Sequence, residues 1–218
     1  MFKRRTPRSY LATFGRWLWP RGGWPRAVLY MAYRLRRLPD PAHKIARGVA
    51  AGTFVSFTPF FGLHFLLAGG MAWAMGGNVV AALLGTFVGN PLTFPIIAGL
   101  SVRLGSWMMG LPHTMPLHET FAAFSKVSVE FWSNARALFT GDPVGWTQLD
   151  GFFTHVFLPY LVGGLIPGAI AAIVAYAVTR PVISAYQKAR IARMKKDFAR
   201  RRQAALKAAT RINEGNSP

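Results

Sequence analysis

Residues 48–102 read GVAAGTFVSFTPFFGLHFLLAGGMAWAMGGNVVAALLGTFVGNPLTFPIIAGLSV, and none of these 55 positions holds Asp, Glu, Lys or Arg. The chain elsewhere carries 26 Lys/Arg and seven Asp/Glu. Ordinary water-soluble cores do not leave so long a run uncharged. A bilayer core about 30 Å thick takes about 20 apolar residues per helix. The run therefore has room for two spans, or for one span and a shorter hairpin. Two interruptions set it apart. Thr58-Pro59-Phe60-Phe61-Gly62-Leu63-His64 divides its first half, and Asn90-Pro91-Leu92-Thr93-Phe94-Pro95 divides its second. Proline removes a backbone donor and clashes with the preceding turn, so each interruption frees carbonyls that lipid cannot satisfy. Those groups must face protein or water, which makes the two breaks the candidate functional heart.

Charge outside the run is distributed in a telling way. Net charge is +19, yet the basic residues sit almost entirely in residues 1–47 and 180–218, with acids few at either end. Basic flanks around apolar segments follow the positive-inside pattern and place both termini in the cytoplasm. No aromatic-interleaved reader motif accompanies the basic tails, so nucleic acid is not expected as a partner. The expected partners are membrane lipids, with anionic headgroups at the basic helices, and a second copy of the chain or an envelope enzyme. Cysteine is absent, which excludes disulfides and thiolate metal sites. The N-terminal apolar pieces are short and interrupted by Pro20, Gly22, Gly23 and Pro25, a poor signal peptide, and no cleavage is expected.

Outward from the run, residues 1–23 form a basic arm with Trp17 and Trp19 suited to headgroups. Residues 25–38 make an amphipathic helix, with Val28, Met31, Leu35 and Leu38 on one face and Arg26, Arg34 and Arg37 on another. Helical apolar stretches follow from Pro41 to Phe57 and from Leu63 to Met75, a turn at Gly76-Gly77-Asn78, and a third stretch from Val79 to Val102 broken at Asn90-Pro91. Residues 111–151 change character. Within them 117–139 form an external amphipathic helix with Phe121, Phe124, Val127, Phe131 and Leu138 near one side. The last apolar segment, 152–179, carries its own break at Gly163-Gly164-Leu165-Ile166-Pro167-Gly168 and is closed by Arg180-Pro181. A basic helix then runs to about Arg211, opposing Ile191, Met194 and Phe198 to Lys188, Lys195 and Arg202.

This patterning divides the chain into a basic arm and interfacial helix (1–40), a membrane domain (41–180, with apolar segments 45–75, 79–102 and 152–179), and a basic cytoplasmic helix and tail (181–218). The expected fold is an all-α membrane protein, with multipass helices, Pro/Gly-broken re-entrant segments and basic amphipathic flanks. If both termini are inside and 111–151 is outside, residues 48–102 cross an odd number of times. Three spans need about 60 residues, so a re-entrant hairpin with its tip at Thr58–Gly62, followed by one span, fits better than three short tilted helices.

Gly52-Thr53-Phe54-Val55 recurs 33 positions later as Gly85-Thr86-Phe87-Val88, and a proline follows each copy. Both copies lie in small-xxx-small frames, Gly48/Gly52 and Gly85/Gly89, of the kind that let helices approach closely. Paired interrupted helices mark binding sites in transporters built from repeats, where half-helix N-termini suit anionic groups. Inverted and parallel repeats are equally compatible with the pattern. The candidate binding residues are Thr58, Pro59, Gly62, His64, Asn90, Pro91 and Thr93. His64 reads either as a proton-carrying or ligand-binding group or as a buried histidine bonded to a carbonyl. Asn90 reads as a helix cap, and the threonines back-bond to freed carbonyls. The alternative for both breaks is a packing kink. No carboxylate lies in the run, which disfavours a proton- or sodium-coupled pump. No nucleophile elbow, paired carboxylates, metalloprotease motif or P-loop occurs, so neither enzymatic activity nor a cofactor is expected.

The run from Ala51 to His64, then Gly77-Asn78, then Asn90-Pro91-Leu92-Thr93-Phe94-Pro95, resembles the bacterial family called domain of unknown function 2062. Its pattern is a Gly-rich helix, Phe-x-Pro-x-x-Gly-x-His/Gln, an Asn, and Asn-Pro-x-Thr-x-x-Pro. The likeness covers about residues 40–180. It implies a multipass inner-membrane protein and transfers no activity. Some relatives join the domain to glycosyltransferases, a catalytic part this chain lacks. The functional expectation is a small carrier, or a protein that translocates lipids or envelope precursors, with its site between the broken helices. The alternative is a non-transporting membrane scaffold for an envelope-biosynthesis enzyme.

Overall fold

Proline and glycine set most of the helix boundaries. The computed structural model describes residues 23–111, 117–141 and 143–215, and all regular structure among them is helical. Helix α1 (Gly23–Arg37) ends before Pro39, and α2 (Ala42–Val55) opens directly after Pro41. The first break separates α2 from α3 (His64–Ala74). Gly76, at φ +61°, turns the chain toward α4 (Val79–Gly85), which tightens into a 3₁₀ turn at Thr86–Val88. After the second break come α5 (Phe94–Met108) and α6 (Leu117–Thr140). Helix α7 (Thr147–Phe152) continues through a π-helical turn (Phe153–Phe157) into α8 (Leu158–Gly215). The basic arm, with Trp17 and Trp19, lies outside the described residues, as do Pro112, Pro116 and the side chains of Phe121 and Leu138.

Helix directions follow from specific contacts. Ile45 shares a buried cluster with Ile183, and a Cβ on Gly164 would lie 2.1 Å from the Phe57 carbonyl oxygen, so α2 runs opposite to α8. Ser101 meets Gly163 and Gly105 meets Pro159, so α5 also runs opposite to α8. Helix α3 turns back along α2. Asn78 N–H donates to the Lys44 carbonyl at 2.9 Å, Arg47 Nη1 donates to the Met75 carbonyl at 2.7 Å, and Val55 and Ala68 share a cluster. The first repeat unit is thus a helical hairpin with its tip at residues 56–63.

The two copies of the Gly-Thr-Phe-Val motif pack against each other, side by side and in the same direction. A Cβ on Gly48 would sit 2.9 Å from the Ala81 Cβ; one on Gly52 would sit 2.9 Å from the Gly85 carbonyl carbon; one on Gly89 would sit 3.1 Å from the Ser56 Cβ. Each of these pairs is separated by the 33-residue repeat. The contacts are also reciprocal. A Cβ on Gly52 would lie 2.0 Å from the Ala82 carbonyl oxygen, and one on Gly85 would lie 2.6 Å from that of Val49. Helices α2 and α4 are therefore related by a local two-fold axis running along them, the arrangement small-xxx-small frames permit because backbones can touch. The repeat is parallel, not inverted. The symmetry ends at the breaks. Helix α3 folds back, whereas α4 and α5 both run opposite to α8.

Two expectations are corrected in α8. It does not break at Gly163–Gly168, nor end at Arg180-Pro181; both Pro167 and Pro181 lie inside one 58-residue helix. A proline bends a helix rather than ending it when neighbours hold both sides. Gly163 and Gly164 lie against α5 and the end of α2, and Ile183 is buried just beyond Pro181. The apolar side read for α6 divides in the structure: Phe124 packs on Phe152, whereas Phe131 is 61% exposed and Asn134 and Ala137 are buried. The α7 junction explains this. Glu130 accepts from the N–H groups of Gln148 and Leu149 at 3.0 and 2.7 Å, and Asn134 exchanges two hydrogen bonds with Gly145. A polar pair therefore docks α6, with Glu130 capping the α7 N-terminus.

The continuous helix from Thr147 to Ala204 is, among the described residues, the one helix long and apolar enough to cross a membrane by length and composition. Its best 18-residue window has a mean hydropathy of 2.1, and only 17% of that window is buried. Large apolar side chains are also exposed elsewhere, including Leu66 and Trp73 on α3 and Ile96 and Trp107 on α5.

Candidate functional site

The two breaks end helices α2 and α4, which touch along their length, and so they meet. Ser56 Oγ donates to the Gly52 carbonyl at 3.0 Å and to the Thr86 carbonyl at 3.1 Å, fastening one unit to the other at the level where both lose helical form. In the first break Thr58 Oγ1 donates to the Val55 carbonyl at 2.7 Å, satisfying a group near the Pro59 interruption. Gly62 takes φ +84°, a left-handed conformation suited to glycine, and the chain re-enters helix at His64. His64 Nε2 lies 3.1 Å from the Thr58 carbonyl oxygen, spanning the loop. Asn90 caps the second break. Its Oδ1 accepts from Leu92 N–H at 2.9 Å and Thr93 N–H at 3.1 Å, and its Nδ2 donates to the Phe87 carbonyl at 3.2 Å. Thr93 Oγ1 accepts from Asn90 N–H at 3.1 Å and donates to the Val88 carbonyl.

These bonds determine what the polar side chains are free to do. Thr58, His64, Asn90 and Thr93 each bond to backbone in or beside their own break, so each already has a local partner. The seven candidate residues are also distributed rather than gathered. Gly62 and His64 line a cavity of about 140 Å³ with Ser56, Thr86, Gly89 and Phe94. Thr58 lines an apolar cleft between α2, α3 and α8, with Phe60 and Leu165. Asn90 and Thr93 line a third space on the far side of α4, of about 590 Å³, bounded by α1, α2, α4 and α8. Pro59 is buried and Pro91 half-buried.

Above the hairpin tip sits an aromatic cluster. The Phe61 ring meets Phe124 at 4.6 Å, Phe94 at 4.8 Å, His64 at 5.6 Å and Tyr160 at 5.9 Å between centroids, all edge-on. Phe60 packs on Phe157 at 5.5 Å, and Phe124 on Phe152 at 4.7 Å. These are favourable edge-to-face geometries. They close the tip with rings from four other parts of the chain, so that Phe61 joins both breaks to α6 and α8.

Several of these residues escape the sequence pattern. Ser56 reads as one more small residue at a helix end. Phe61 reads as part of a break, and Arg36 as one more cation on α1. Arg36 has a sequence signal, since it falls one position from Leu35 and one turn from Ala32 on the apolar side of the helix. Asp40 carries none. It accepts from Asn78 Nδ2 through its carboxylate and from Gln187 Nε2, at 2.9 Å, through its carbonyl, tying the α1–α2 link to α4 and α8. Asn78 is more than a turn residue, since its Oδ1 caps α4 through Ala81 N–H at 2.7 Å.

The sequence profile of a bacterial family described as "Uncharacterized protein conserved in bacteria (DUF2062)" matches residues 25–192. The matched segment takes in α1 to α5, both breaks, the aromatic cluster and the packed part of α8. No curated protein and no solved structure matches the chain.

Proposed function

The chain belongs to the DUF2062 family, and from that premise we propose that it is a multipass inner-membrane protein that carries a lipid or lipid-linked envelope precursor past its two broken helices. The observation behind this is the meeting of the breaks. Helices α2 and α4 touch throughout and lose helical form together at Ser56 and Gly89, with a cavity between the breaks and an apolar groove beside them. Non-helical backbone at membrane depth is tolerated where protein or a water-filled cavity receives its polar groups.

In this reading α4 and α5 together form one interrupted span and α7–α8 another, while α2–α3 is a re-entrant hairpin. Val79 to Met108 covers enough residues for about 40 Å of rise, matching a bilayer with its headgroups. Trp73 near the hairpin base and Trp107 near the far end of α5, 79% and 77% exposed, then mark the two interfaces. Cargo is an amphiphile rather than a polar solute because the break side chains bond among themselves and the larger cavities are apolar.

The absence of cysteine allows a direct test. Phe60→Cys, Leu92→Cys and, as a lipid-facing control, Ile173→Cys are probed in cells and inside-out vesicles with a membrane-impermeant thiol reagent. Labelling at positions 60 and 92 but not 173 supports a wet pathway and leads to a lipid flux assay in proteoliposomes. Protection of both from both sides removes the pathway.

A second reading is favoured by the complete local bonding of Asn90 and Thr93, which a packing kink alone also requires. Under it the chain is a non-transporting scaffold, and α1 and the basic end of α8 present a cationic surface to an envelope enzyme.

A further inference from the structure

The groove of about 590 Å³ between α1, α2, α4 and α8 has two unlike ends. Arg36 stands at one end, where its guanidinium carbon lies 5.9 Å from the Tyr33 ring centroid and 5.6 Å from that of Tyr186. Asn90, Leu92 and Thr93 stand at the other, where α4 has given way to the second break. The ends are separated by the length of α4, because Asn78 at its start is bonded to Asp40, close in sequence to Arg36. Between them the walls are aliphatic, among them Leu35, Val49, Leu84, Val182 and Ile183. The volume falls within the roughly 300–1,000 Å³ of small-molecule sites.

Arg36 is the chemically unfinished part. Its Nε is buried and has no hydrogen-bond partner among the described residues. A buried guanidinium N–H without an acceptor is costly and calls for an oxygen ligand. Aromatic contacts with two tyrosines satisfy the face of the cation and leave the Nε–H without an acceptor among the described residues. The fork of Nε–H and Nη–H groups of a guanidinium matches the spacing of two phosphate oxygens. The nearby acid, Asp40, has its carboxylate engaged by Asn78 Nδ2. Arg34, Arg37 and Lys44 add positive charge at the same end.

We propose, resting on the membrane reading above, that this groove is a binding site for one anionic phospholipid, its phosphate on Arg36 and one acyl chain lying along α4 toward Asn90. The amphiphile supplies both the negative group that the Arg36 end lacks and the apolar mass that the rest of the groove accepts. The site differs from diffuse attraction of lipid to the basic helices, because it depends on one half-buried cation and on the volume behind it.

The test uses the full-length chain extracted from bacterial membranes in a mild detergent and analysed by native mass spectrometry, before and after addition of phosphatidylglycerol, phosphatidylcholine or glycerol phosphate. The expected result is one retained phospholipid, with phosphatidylglycerol favoured over phosphatidylcholine and no displacement by glycerol phosphate. Arg36→Gln lowers retention by about tenfold or more, the loss of a charge-assisted bidentate contact. Leu84→Trp fills the groove and lowers it comparably, and Val28→Trp at the exposed rim does the same should Leu84→Trp fail to fold. Arg26→Gln, on the solvent face of the same helix, retains lipid as the parent does. Equal retention by Arg36→Gln, equal retention in folded groove-filled variants, no preference between the two lipids, or no lipid bound after phosphatidylglycerol addition would each overturn the assignment. Displacement by glycerol phosphate alone would also do so, by reducing the site to a phosphate site. Recovery of the chain in the soluble fraction would sink the membrane reading itself, whereas a membrane-extracted but lipid-free chain sinks only the groove.

Discussion

Asn90 does three things at once, and each is local. Its side chain receives the first two free N–H groups before α5 and donates back to the last turn before the break. Asn90→Leu keeps the size and removes all three bonds. Thermal unfolding in detergent should show a loss of about 1–2 kcal/mol, the usual cost of deleting an N-cap. Ser101 is the opposite case. It is fully buried where α5 crosses α8, and its hydroxyl has no partner among the described residues. Ser101→Ala should leave stability unchanged or raise it by about 1 kcal/mol, since it removes an unsatisfied buried group; a clear drop would mean that an ordered water or a ligand bonds there. At this scale the break chemistry is legible in sequence. Asn-Pro and Thr-Pro steps announce caps and freed carbonyls wherever they occur, and Asn90 is the cap its position suggests. His64 has two roles open to it in sequence. Its bond to the Thr58 carbonyl matches the structural one, and only the fold of the loop could place that carbonyl within reach.

Between elements, the glycines set the distance. A Cβ at Gly105 would lie 1.7 Å from the Pro159 carbonyl oxygen, and one at Gly52 would lie 2.0 Å from that of Ala82. Both neighbours are backbone and cannot rotate aside. Gly105→Ala should therefore push α5 off α8, and Gly52→Ala should push α2 off α4, at about 1–3 kcal/mol each for overpacking. A Cβ added at Gly70 on α3 would meet nothing within 4 Å, so Gly70→Ala should be neutral or gain up to about 1 kcal/mol from helix propensity. Chemical-denaturant or thermal melts of the three variants side by side separate packing from propensity. Boundaries and types of the helices are largely readable, because Pro39, Pro41, Gly76 and Asn78 punctuate the chain with residues of known backbone preference. The continuity of α8 through Pro167 and Pro181 is not. Whether a proline ends a helix depends on what packs on either side of it, and those neighbours are α2 and α5, more than 50 residues away in sequence. The face of α6 escapes the sequence for a similar reason. Phe124 and Phe131 both follow the apolar period, but only Phe124 packs inward, and Glu130 and Asn134 add polar bonds to the start of α7.

For the whole molecule, the chain directions make a prediction about topology. Under the proposed topology, with α2–α3 as a hairpin, α4–α5 as one crossing and α7–α8 as the return, the start of α1 and the end of α8 are expected in the cytoplasm and residues 143–146 outside. A fluorescent reporter that folds only in the cytoplasm should be active when fused after residue 215. An alkaline-phosphatase-type reporter, active only outside, should work when inserted at 143–146; loss of activity of either reporter at its site, with the fusion expressed, would exclude the two-crossing arrangement. What the sequence by itself determined is the helical class, the position of the two breaks, the repeat and the family, because each depends on residue types and on spacings along the chain. The tertiary structure alone decided that the repeat is parallel. Sequence identity between two segments carries no direction in space, whereas the reciprocal contacts of Gly52 with Ala82 and of Gly85 with Val49 do. It also decided that five of the seven candidate residues divide among three spaces, Thr58 on one, Gly62 and His64 on another, Asn90 and Thr93 on the third, and that Arg36, rather than any of the seven, is left with a buried N–H and no acceptor among the described residues. Satisfaction of a polar group is a matter of which atoms arrive within about 3 Å of it, and that is settled only when helices far apart in the chain have packed.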